Sequence, residues 1–332
     1  MRAMMSVEVG GPDALVMTEG ETPKPQKNEV VIRVRAAGVN FPDTLIIRDL
    51  YQIKPPRPFA PGGEVAGDIE ALGEGVDHLS VGQRVLAVPG FNGFATHVVA
   101  HKSGVVPIPD AMPFDQASCF ILTYGTSHYA LKQRAKLKAG ETLLILGAAG
   151  GVGAAAIELG KAMGAKVIAA VSSEEKAAFC KKLGADKTLI YPREMDRDAQ
   201  KAFSGNIKEL AGPNGVNVVY DAVGGNYAEP AVRTLAWEGR FLVIGFAGGE
   251  IPKLPLNLAL LKSADLRGVF WGSWLARFPD EHRQNTEEFL QLFADGKINP
   301  RISNTYPLDD FIKAYDELAE RRAMGKVVLT MD

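Results

Sequence analysis

The spacing of apolar residues changes near Thr123, and the change separates two kinds of structure along the chain. Up to about residue 120, short β-branched segments such as Glu29–Arg35 alternate apolar and charged residues, which predicts half-buried strands. Glycine and proline interrupt this pattern at short intervals, as is typical of a small antiparallel barrel or sandwich. A helix is predicted at Asn40–Ile47. The further strands predicted in this region are Val65–Leu72, Arg84–Val88 and Phe94–Val99.

From Thr123 onward, short apolar strands alternate with helices. Strands that are apolar on both faces indicate a parallel sheet covered by helices on both sides, so this region predicts a doubly wound α/β domain. The predicted strands are Thr142–Leu146, Lys166–Val171, Thr188–Tyr191, Val216–Tyr220 and Phe241–Gly245. The predicted helices are Val152–Met163, Glu174–Leu183, Ala199–Leu210 and Tyr227–Leu235.

The end of the chain returns to the mixed pattern. Leu308–Ala319 has the spacing of an amphipathic helix, and Lys326–Thr330 is a closing strand that lies too far along the chain to join the parallel sheet. We expect this strand to join the N-terminal strands. Residues 1–122 and 273–332 then form one domain, and residues 123–272 form the doubly wound domain that is inserted into it.

Composition narrows the classes of function. Of 332 residues, 46% are hydrophobic and 23% are charged, and the net charge is −2, which is typical of a globular two-domain enzyme. This balance lacks the basic excess that nucleic-acid binding needs. Cys119 and Cys180 form neither a disulfide framework nor a metal-binding motif. Because the first residues lack the apolar segment of a signal peptide and no apolar run reaches about 20 residues, we expect a cytoplasmic protein that does not enter a membrane.

A glycine cluster lies where the first strand of the doubly wound domain meets its first helix. The segment reads GAAGGVG, and Ala148, Gly150 and Gly153 have the spacing of a dinucleotide-binding turn with alanine in the first place. Glycine lets backbone N–H groups approach a pyrophosphate, and the helix N-terminus favours the anion. A tight turn without a ligand is the alternative. The residues predicted to bind the cofactor here are Ala149, Gly150, Gly151, Val152 and Gly153.

The end of the second strand of this domain indicates which dinucleotide is bound. An enzyme that uses NAD usually has Asp or Glu there to bind the ribose hydroxyls. This chain has Ser172 and Ser173 after Val171, with Lys176 one helical turn further on. These side chains can donate to a 2′-phosphate, which predicts NADPH as the cofactor. The alternative for Lys176 is a solvated lysine opposite Glu175.

Several segments together resemble the quinone oxidoreductase family of the medium-chain dehydrogenase/reductases. They are AAGVNFPDTLIIRDLY (Ala36–Tyr51), PGGEVAG (Pro61–Gly67), GEGVDHLSVGQRV (Gly73–Val85), GAAGGVG and the terminal GKVVLT. The segments PFAPGGEVAG and WG are most similar to the group called quinone oxidoreductase-like protein 2. The resemblance covers essentially the whole chain. It implies a GroES-like β-barrel catalytic domain interrupted by a doubly wound Rossmann domain that binds NADPH.

The chain departs from the zinc-containing alcohol dehydrogenases of the same superfamily. Those enzymes have a Cys where this sequence has Asn40 and a His where it has Gly63, and their four-cysteine structural zinc lobe is missing here. We therefore expect no metal and a zinc-independent reaction. His97 and His101 do not change this expectation, because in the strand predicted there they lie about 13 Å apart.

The resemblance also implies a set of site residues. Asn40 and Asp43 lie near the nicotinamide, Tyr51 lies over the acceptor, and all three are candidate catalytic residues. Tyr51 packing on prolines and Trp271 serving as a core or subunit contact are the alternatives. The cofactor-binding residues implied are Asn40, Thr126, Ser172, Lys176, Tyr191, Phe246, Ala247, Phe270, Trp271 and Arg321.

Three functions follow as hypotheses. The first is transfer of hydride from NADPH to a small-molecule quinone, and the second is reduction of an activated alkene such as an alkenal, an enone or an enoyl thioester, with Tyr51 as the proton donor. The third is a catalytically weak NADPH-binding protein with a structural or regulatory role. We also expect a homodimer, or a tetramer, because the resemblance implies that Asp265–Gly272 is an edge strand that pairs across a two-fold axis, and an unpaired, largely apolar edge would expose its N–H and C=O groups. Cover by Leu256–Leu261 within the chain is the alternative.

Overall fold

The computed structural model describes residues 1–331, and the chain forms two compact units. Unit 1 consists of Met1–Leu122 and the segment from Pro300 to the end of the chain, and unit 2 is Thr123–Asn299. The second boundary between the two units lies at 299/300, whereas the sequence predicted it at 272/273. The helices between the two positions belong to unit 2, because aromatic contacts such as His128–Phe289, with ring centroids 5.8 Å apart, hold them there.

The secondary structure of residues 1–331 is as follows. The strands are β1 (Arg2–Ser6), β2 (Leu15–Glu19), β3 (Glu29–Val39), β4 (Glu64–Leu72), β5 (Arg84–Ala87), β6 (His97–His101), β7 (Val105–Pro107), β8 (Thr142–Leu146), β9 (Lys166–Val171), β10 (Lys187–Ile190), β11 (Val216–Asp221), β12 (Leu235–Val243), β13 (Asp265–Gly268), β14 (Ile302–Pro307) and β15 (Lys326–Thr330). The α-helices are α1 (Phe41–Ile46), α2 (Phe114–Ala117), α3 (Ile121–Tyr129), α4 (Gly151–Ala162), α5 (Glu174–Lys182), α6 (Arg197–Ala211), α7 (Ala228–Val232), α8 (Asn257–Leu260), α9 (Trp271–Arg277), α10 (Pro279–Ala294) and α11 (Phe311–Ala319).

Unit 1 is built around a seven-stranded sheet in the order β14-β15-β3-β4-β5-β7, with β6 also paired to β3. The closing strand β15 pairs antiparallel with β3, so the prediction that it joins the N-terminal strands is confirmed. The apolar faces of these strands enclose a core that includes Phe59, Phe94 and Tyr315. This pairing brings residues from both ends of unit 1 onto neighbouring strands.

Unit 2 is a parallel six-stranded sheet in the order β10-β9-β8-β11-β12-β13. The order reverses between β8 and β11, which makes the carboxyl ends of these strands the expected ligand edge of a doubly wound sheet. The predicted fold class is confirmed, and the doubly wound part carries α4, α5, α6 and α7 between its strands.

Several predicted elements differ in extent from the structure. The helix predicted at Tyr227–Leu235 ends at Val232, and the strand predicted at Phe241–Gly245 begins at Leu235. A bulge in this strand, with Glu238 at φ 55°, interrupts its pairing, so its apolar residues do not follow one simple period. The strand predicted at Phe94–Val99 runs from His97 to His101 instead.

The strand predicted at Asp265–Gly272 ends at Gly268, and Trp271 begins α9. This strand pairs with β12 alone and forms an edge of the parallel sheet in the described residues. Within residues 1–331, no helix has the length and the apolar character that crossing a membrane requires.

Candidate active site

The glycine turn of unit 2 has the geometry of a dinucleotide-binding turn. It begins at Gly147, whose φ of 70° follows strand β8, and Gly150 is the residue that precedes helix α4. A Cβ atom on Gly153 would lie 2.4 Å from the carbonyl oxygen of Gly147, so only glycine lets the helix approach the strand this closely. A Cβ on Gly150 would meet nothing closer than 3.5 Å. The turn therefore presents the first N–H groups of α4 at the carboxyl edge of the sheet.

Two serines and a lysine follow the next strand, β9. Ser173 precedes α5, and its hydroxyl oxygen accepts from the backbone N–H of Lys176 at 3.3 Å, which leaves its O–H hydrogen to donate elsewhere. Ser172, Ser173 and Lys176 are all half-buried. The acidic residues Glu174 and Glu175 are exposed on the first turn of α5. No carboxylate therefore ends β9, and hydroxyl donors lie there instead.

Tyr191 lies under this edge of the sheet in the core of unit 2. Its ring is 4.8 Å from that of Tyr227 and 5.8 Å from that of Phe203, measured between centroids. It is buried, and its backbone N–H donates to Val171 at the end of β9. The structure therefore places Tyr191 directly beside the strand end that carries Ser172.

The two loops after β11 and β12 are joined by backbone hydrogen bonds. Ala247 donates to Ala222 at 3.1 Å, and a Cβ on Gly224 would lie 2.8 Å from the ring of Phe246. Asp221, at the end of β11, accepts from the N–H groups of Val223 and Gly224 at 2.8 and 2.9 Å, and burial raises its pKa to about 6. Asp221 is not among the residues predicted from the sequence, although its position at a strand end, three residues before Gly224 and Gly225, was a usable signal.

Thr126 is half-buried in α3, and its neighbour Ser127 fixes that helix to the cofactor turn. The Ser127 hydroxyl donates to the carbonyl oxygen of Val152 at 2.9 Å and lies 2.8 Å from the hydroxyl of Tyr220. Ser127 is fully buried and links the first turn of α4 to β11. It is a second residue that the sequence analysis missed, because a single serine in a helix carries no spacing signal.

Phe270 and Trp271 have different surroundings although they are adjacent in sequence. Phe270 is 50% exposed, whereas Trp271 is buried and packs on Gly125, where a Cβ would lie 2.8 Å from the indole ring. The ring of His282 is 5.5 Å from that of Trp271. The structure thus makes the Trp271 side chain part of the packing between α3, α9 and α10.

In unit 1, Asn40 lies at the centre of a buried polar network that the sequence analysis did not foresee. Its amide nitrogen donates to Glu64 Oε1 at 2.9 Å and to the Gly38 carbonyl at 3.1 Å, and its Oδ1 accepts from Lys326 Nζ at 2.6 Å. Lys326 Nζ also donates to Glu64 Oε1 at 3.0 Å. The other carboxylate oxygen of Glu64 accepts from the backbone of Leu122.

Adjacent strands bring these residues together. Gly38 of β3 pairs with Glu64 of β4 on one side and with Val328 of β15 on the other. A Cβ on Gly38 would lie 2.6 Å from Glu64 Oε1, so glycine is required for the carboxylate to lie there. Lys326 could have been found from the sequence, because it is the one charged residue of the segment KVVLT.

Asp43 and Tyr51 lie beside this network. Asp43 accepts from the backbone N–H groups of Asn40 at 2.7 Å and of Gly62 at 3.1 Å, and burial raises its pKa to about 6. Tyr51 is half-buried and packs against the core of unit 1. Burial, and then the charge of Asp43, raise the pKa of Tyr51 above its usual value, so its phenol is protonated at neutral pH.

Three further residues that the sequence analysis considered lie elsewhere in unit 1. Arg321 follows α11 with φ 59° and is exposed. His97 and His101 are at the two ends of strand β6, as the sequence analysis expected. His97 lies 2.9 Å from Glu70, and His101 accepts from the backbone of Ser103. Each histidine therefore has a structural partner of its own.

The residues around Asn40 do not fit a zinc ion. Zinc is bound in proteins by thiolate, imidazole and carboxylate groups. Around Asn40, Glu64 is accompanied by an amide and an ammonium group, and Gly63 offers no side chain. Among residues 1–331, no three side chains of His, Cys, Asp or Glu lie together in a way that could hold a metal ion.

The chain is similar to known proteins over its whole length. Residues 26–110 match the model of the alcohol dehydrogenase GroES-like domain, and residues 151–295 match the model named zinc-binding dehydrogenase. The quinone oxidoreductase-like protein 2 homolog of Nematostella vectensis is 36% identical over 331 residues, which are 99% of this chain and 88% of that protein.

Two solved structures are also similar to this chain over its whole length. Escherichia coli quinone oxidoreductase complexed with NADPH is 30% identical and has a TM-score of 0.90, over 99% of this chain and 100% of that one. The CurK enoyl reductase is 28% identical and has a TM-score of 0.88, over 100% of this chain and 99% of that one.

These matches and the fold define the class of protein, which is the medium-chain dehydrogenase/reductase superfamily of oxidoreductases. Within that superfamily, the chain belongs to the quinone oxidoreductase family. The resemblance inferred from the sequence segments is confirmed.

Proposed function

We propose that this protein is a zinc-independent oxidoreductase that uses NADPH to reduce a quinone. The observation that carries the proposal is the edge of unit 2, where the glycine turn Gly147–Gly153 lies beside a strand that ends in Ser172 and Ser173. A turn of this shape binds a pyrophosphate, and hydroxyl donors in place of a carboxylate favour a 2′-phosphate. The relative from Escherichia coli, solved with NADPH, supports the same cofactor.

The residues of unit 2 divide the binding of NADPH among them. The first N–H groups of α4, from Gly151 to Gly153, bind the pyrophosphate, and Ser172, Ser173 and Lys176 bind the 2′-phosphate. Thr126 and the loop at Phe246 and Ala247 would hold the nicotinamide half. When bound, NADPH supplies the hydride that reduces the acceptor. The buried Ser127 hydroxyl, bonded to Val152 in the first turn of α4 and lying beside Tyr220 of β11, keeps α3 and the turn in a fixed relation.

Unit 1 supplies the groups that act on the acceptor. Tyr51 is protonated at neutral pH because of its raised pKa, so its hydroxyl can donate a proton to an acceptor that does not take one from solvent. Asp43 lies near enough to Tyr51 to raise that pKa, and the two backbone donors hold its carboxyl group in place. Both amide hydrogens of Asn40 are used within the network, so its role is to shape the site.

Reduction of an activated alkene is the second candidate, and Tyr51 is the observation that favours it. A quinone takes its proton from solvent, whereas an enone or an enoyl thioester needs one at the α-carbon, and a protonated, half-buried phenol suits that step. The structural similarity to the CurK enoyl reductase supports the same alternative.

The two candidates are separated by measuring the oxidation of NADPH with a panel of quinones, enones and enoyl-CoA esters, for the wild type and for Tyr51→Phe. Quinone reduction predicts turnover with quinones and little change in Tyr51→Phe. Alkene reduction predicts turnover with enones or enoyl esters that Tyr51→Phe lowers by about 10²-fold or more. NADPH binding without turnover of any acceptor would contradict both and favour a structural or regulatory role.

A further inference from the structure

Glu158 is a carboxylate buried in the helix that follows the cofactor turn. It lies in α4 and is 6% exposed, and its neighbours in that helix are alanine, isoleucine, leucine and glycine. Burying a carboxylate costs free energy unless hydrogen bonds replace those it made with water. Its Oε2 atom accepts from the hydroxyl of Tyr124 at 2.5 Å and from the backbone N–H of Asn299 at 3.1 Å. Two donors that are distant in sequence therefore meet at this one oxygen.

The two donors lie where the chain enters and leaves unit 2. This unit begins at Thr123 and ends at Asn299, so Tyr124 is its second residue. Tyr124 is buried and belongs to α3. One carboxylate oxygen thus ties both ends of unit 2 to the helix whose first turn is proposed to bind the pyrophosphate.

A further hydrogen bond ties α3 to the same helix. Ser127 donates to the carbonyl oxygen of Val152 at 2.9 Å, and Val152 and Glu158 lie about 9 Å apart along the axis of α4. A single contact would let α3 turn about that point, whereas two separate contacts fix both its position and its rotation. Thr126 lies between Tyr124 and Ser127 on another face of α3. The two contacts therefore determine where the Thr126 side chain lies.

We propose that Glu158 is a positioning residue for the nicotinamide half of the cofactor. Together with Ser127 it clamps α3 against the pyrophosphate helix and so sets the position of Thr126. The inference rests on the NADPH site of the proposed function and holds whichever acceptor is reduced. The 2′-phosphate is bound by residues of another strand end and another helix, so its binding should not depend on the clamp.

Three variants separate the hydrogen bonds of the clamp from its charge and its volume. Both bonds end on the same oxygen of Glu158, so Glu158→Gln keeps an oxygen that can accept them. Glu158→Met keeps a side chain of similar length and removes the acceptor. Tyr124→Phe removes a single hydroxyl group and leaves the bond to Asn299. A clamp made of hydrogen bonds predicts that only the glutamine variant behaves like the wild type.

The first test compares two ligands by calorimetric titration. They are NADPH and 2′-phospho-ADP-ribose, which lacks the nicotinamide. We expect Tyr124→Phe and Glu158→Met to weaken the binding of NADPH by about tenfold and to leave the binding of the fragment unchanged. Glu158→Gln should bind both ligands like the wild type. Equal weakening of both ligands, weakening of neither, or a glutamine variant as impaired as the methionine variant would overturn the proposal.

Tyr306→Phe is the matched control for the loss of a buried hydrogen bond. The Tyr306 hydroxyl donates to the buried carboxylate of Glu317 at 2.7 Å in unit 1. This variant loses the same kind of bond outside unit 2 and should bind both ligands like the wild type. A wild-type protein that binds neither ligand would contradict the proposed function, and a measurement without cofactor then decides on the clamp.

The second test is that measurement on the protein without ligand. Hydrogen exchange is followed by mass spectrometry in peptides that cover α3 and α5, for the wild type, Tyr124→Phe and Glu158→Met. The clamp predicts that the amides of α3 exchange about tenfold faster in both variants and that those of α5 do not change. Exchange in α3 as slow as in the wild type would contradict the clamp, whether or not NADPH binds.

Discussion

The two units build their candidate sites in opposite ways. In unit 2, the cofactor turn consists of backbone: consecutive residues from Gly147 to Gly153 end a strand, turn and begin a helix. In unit 1, the site consists of buried charged and amide side chains from distant parts of the chain, Asn40, Glu64 and Lys326. The first kind of site needs small residues and an open approach, and the second needs every polar group to have a partner.

The difference determines how each site tolerates change. A backbone site fails when a side chain fills the space that glycine leaves, whatever the charge of that side chain. A side-chain network fails when one charge loses its partner, even if the volume is kept. Four changes, taken from the largest expected effect to the smallest, test this contrast and the assembly of the protein.

Gly153→Ala should damage the cofactor turn most. Its Cβ would lie 2.4 Å from Gly147 O and 2.7 Å from Ala148 Cα, both backbone atoms that cannot move independently. We expect a loss of about 1–3 kcal/mol in the free energy of unfolding and roughly hundredfold weaker NADPH binding, about 2.7 kcal/mol. Calorimetric titration and chemical denaturation measure both quantities.

Gly205→Ala is the matched control for this change. Gly205 lies in helix α6 of the same unit, is exposed, and has no atom within 4 Å of an added Cβ. Alanine should stabilise that helix by about 0.5–1 kcal/mol and leave NADPH binding unchanged. If both alanine variants bound NADPH like the wild type, the close packing at Gly153 would not be what shapes the turn.

Val269→Arg tests whether the edge of the sheet in unit 2 pairs with a second copy of the chain or is covered within the chain. Val269 follows the edge strand β13, and the nearby side chains of Leu266 and Phe270 are exposed to 40% and 50%. Leu260 and Leu261 are exposed too, so they do not form a buried cover. We expect a wild-type homodimer, because an edge strand with unpaired backbone groups is stabilised by pairing. We expect the charged residue to dissociate or precipitate this dimer.

Light scattering at micromolar concentration measures this outcome. A wild-type protein that runs as a monomer would contradict the homodimer. A variant that keeps the mass of the wild type but unfolds more easily would indicate cover within the chain instead.

Asp43→Asn tests whether the buried carboxyl group of Asp43 in unit 1 makes the stability of the protein depend on pH. Burial raises the pKa of Asp43 to about 6 in the folded protein, from an ordinary value of 3.8. The folded state therefore holds a proton that the unfolded state has lost, and the free energy of unfolding falls as pH rises from about 4 to 6 and then levels off. The contribution is at most about 3 kcal/mol.

Asparagine cannot ionise, so the variant should lack this part of the pH dependence. In urea denaturation, the free energy of unfolding of the wild type minus that of the variant should be larger at pH 4 than at pH 7. A stability difference that does not change with pH would show that Asp43 titrates normally. Asp221, whose pKa is raised to a similar value, is present in both proteins and cancels in the comparison.

Lys176→Ala should have the smallest effect and the most selective one. Loss of one charged donor to the 2′-phosphate should raise the KM for NADPH by about tenfold, equivalent to about 1.4 kcal/mol. The KM for NADH should stay nearly unchanged, because NADH lacks that phosphate. Lys182→Ala, on the exposed last turn of the same helix, is the control and should leave both values alone.

The contrast between the two sites also explains which of their features could be predicted from the sequence. The turn at Gly147–Gly153 and the strands of unit 2 follow from local spacing, so both are predictable, and strands β8 and β9 have the predicted bounds. The partnership of Glu64 with Lys326 depends on which strands pair, and no spacing encodes that. The strand β12 was misplaced because its bulge at Glu238 breaks the alternation that marks a strand.

The central claim, that the protein reduces quinones with NADPH bound in unit 2, is tested most directly by the oxidation of NADPH and of NADH with benzoquinone as the acceptor. The two values of kcat/KM are measured on the same wild-type preparation. The account predicts that NADPH is oxidised and that its kcat/KM exceeds that of NADH by about tenfold or more. Equal use of the two cofactors, or no oxidation of NADPH, would contradict it.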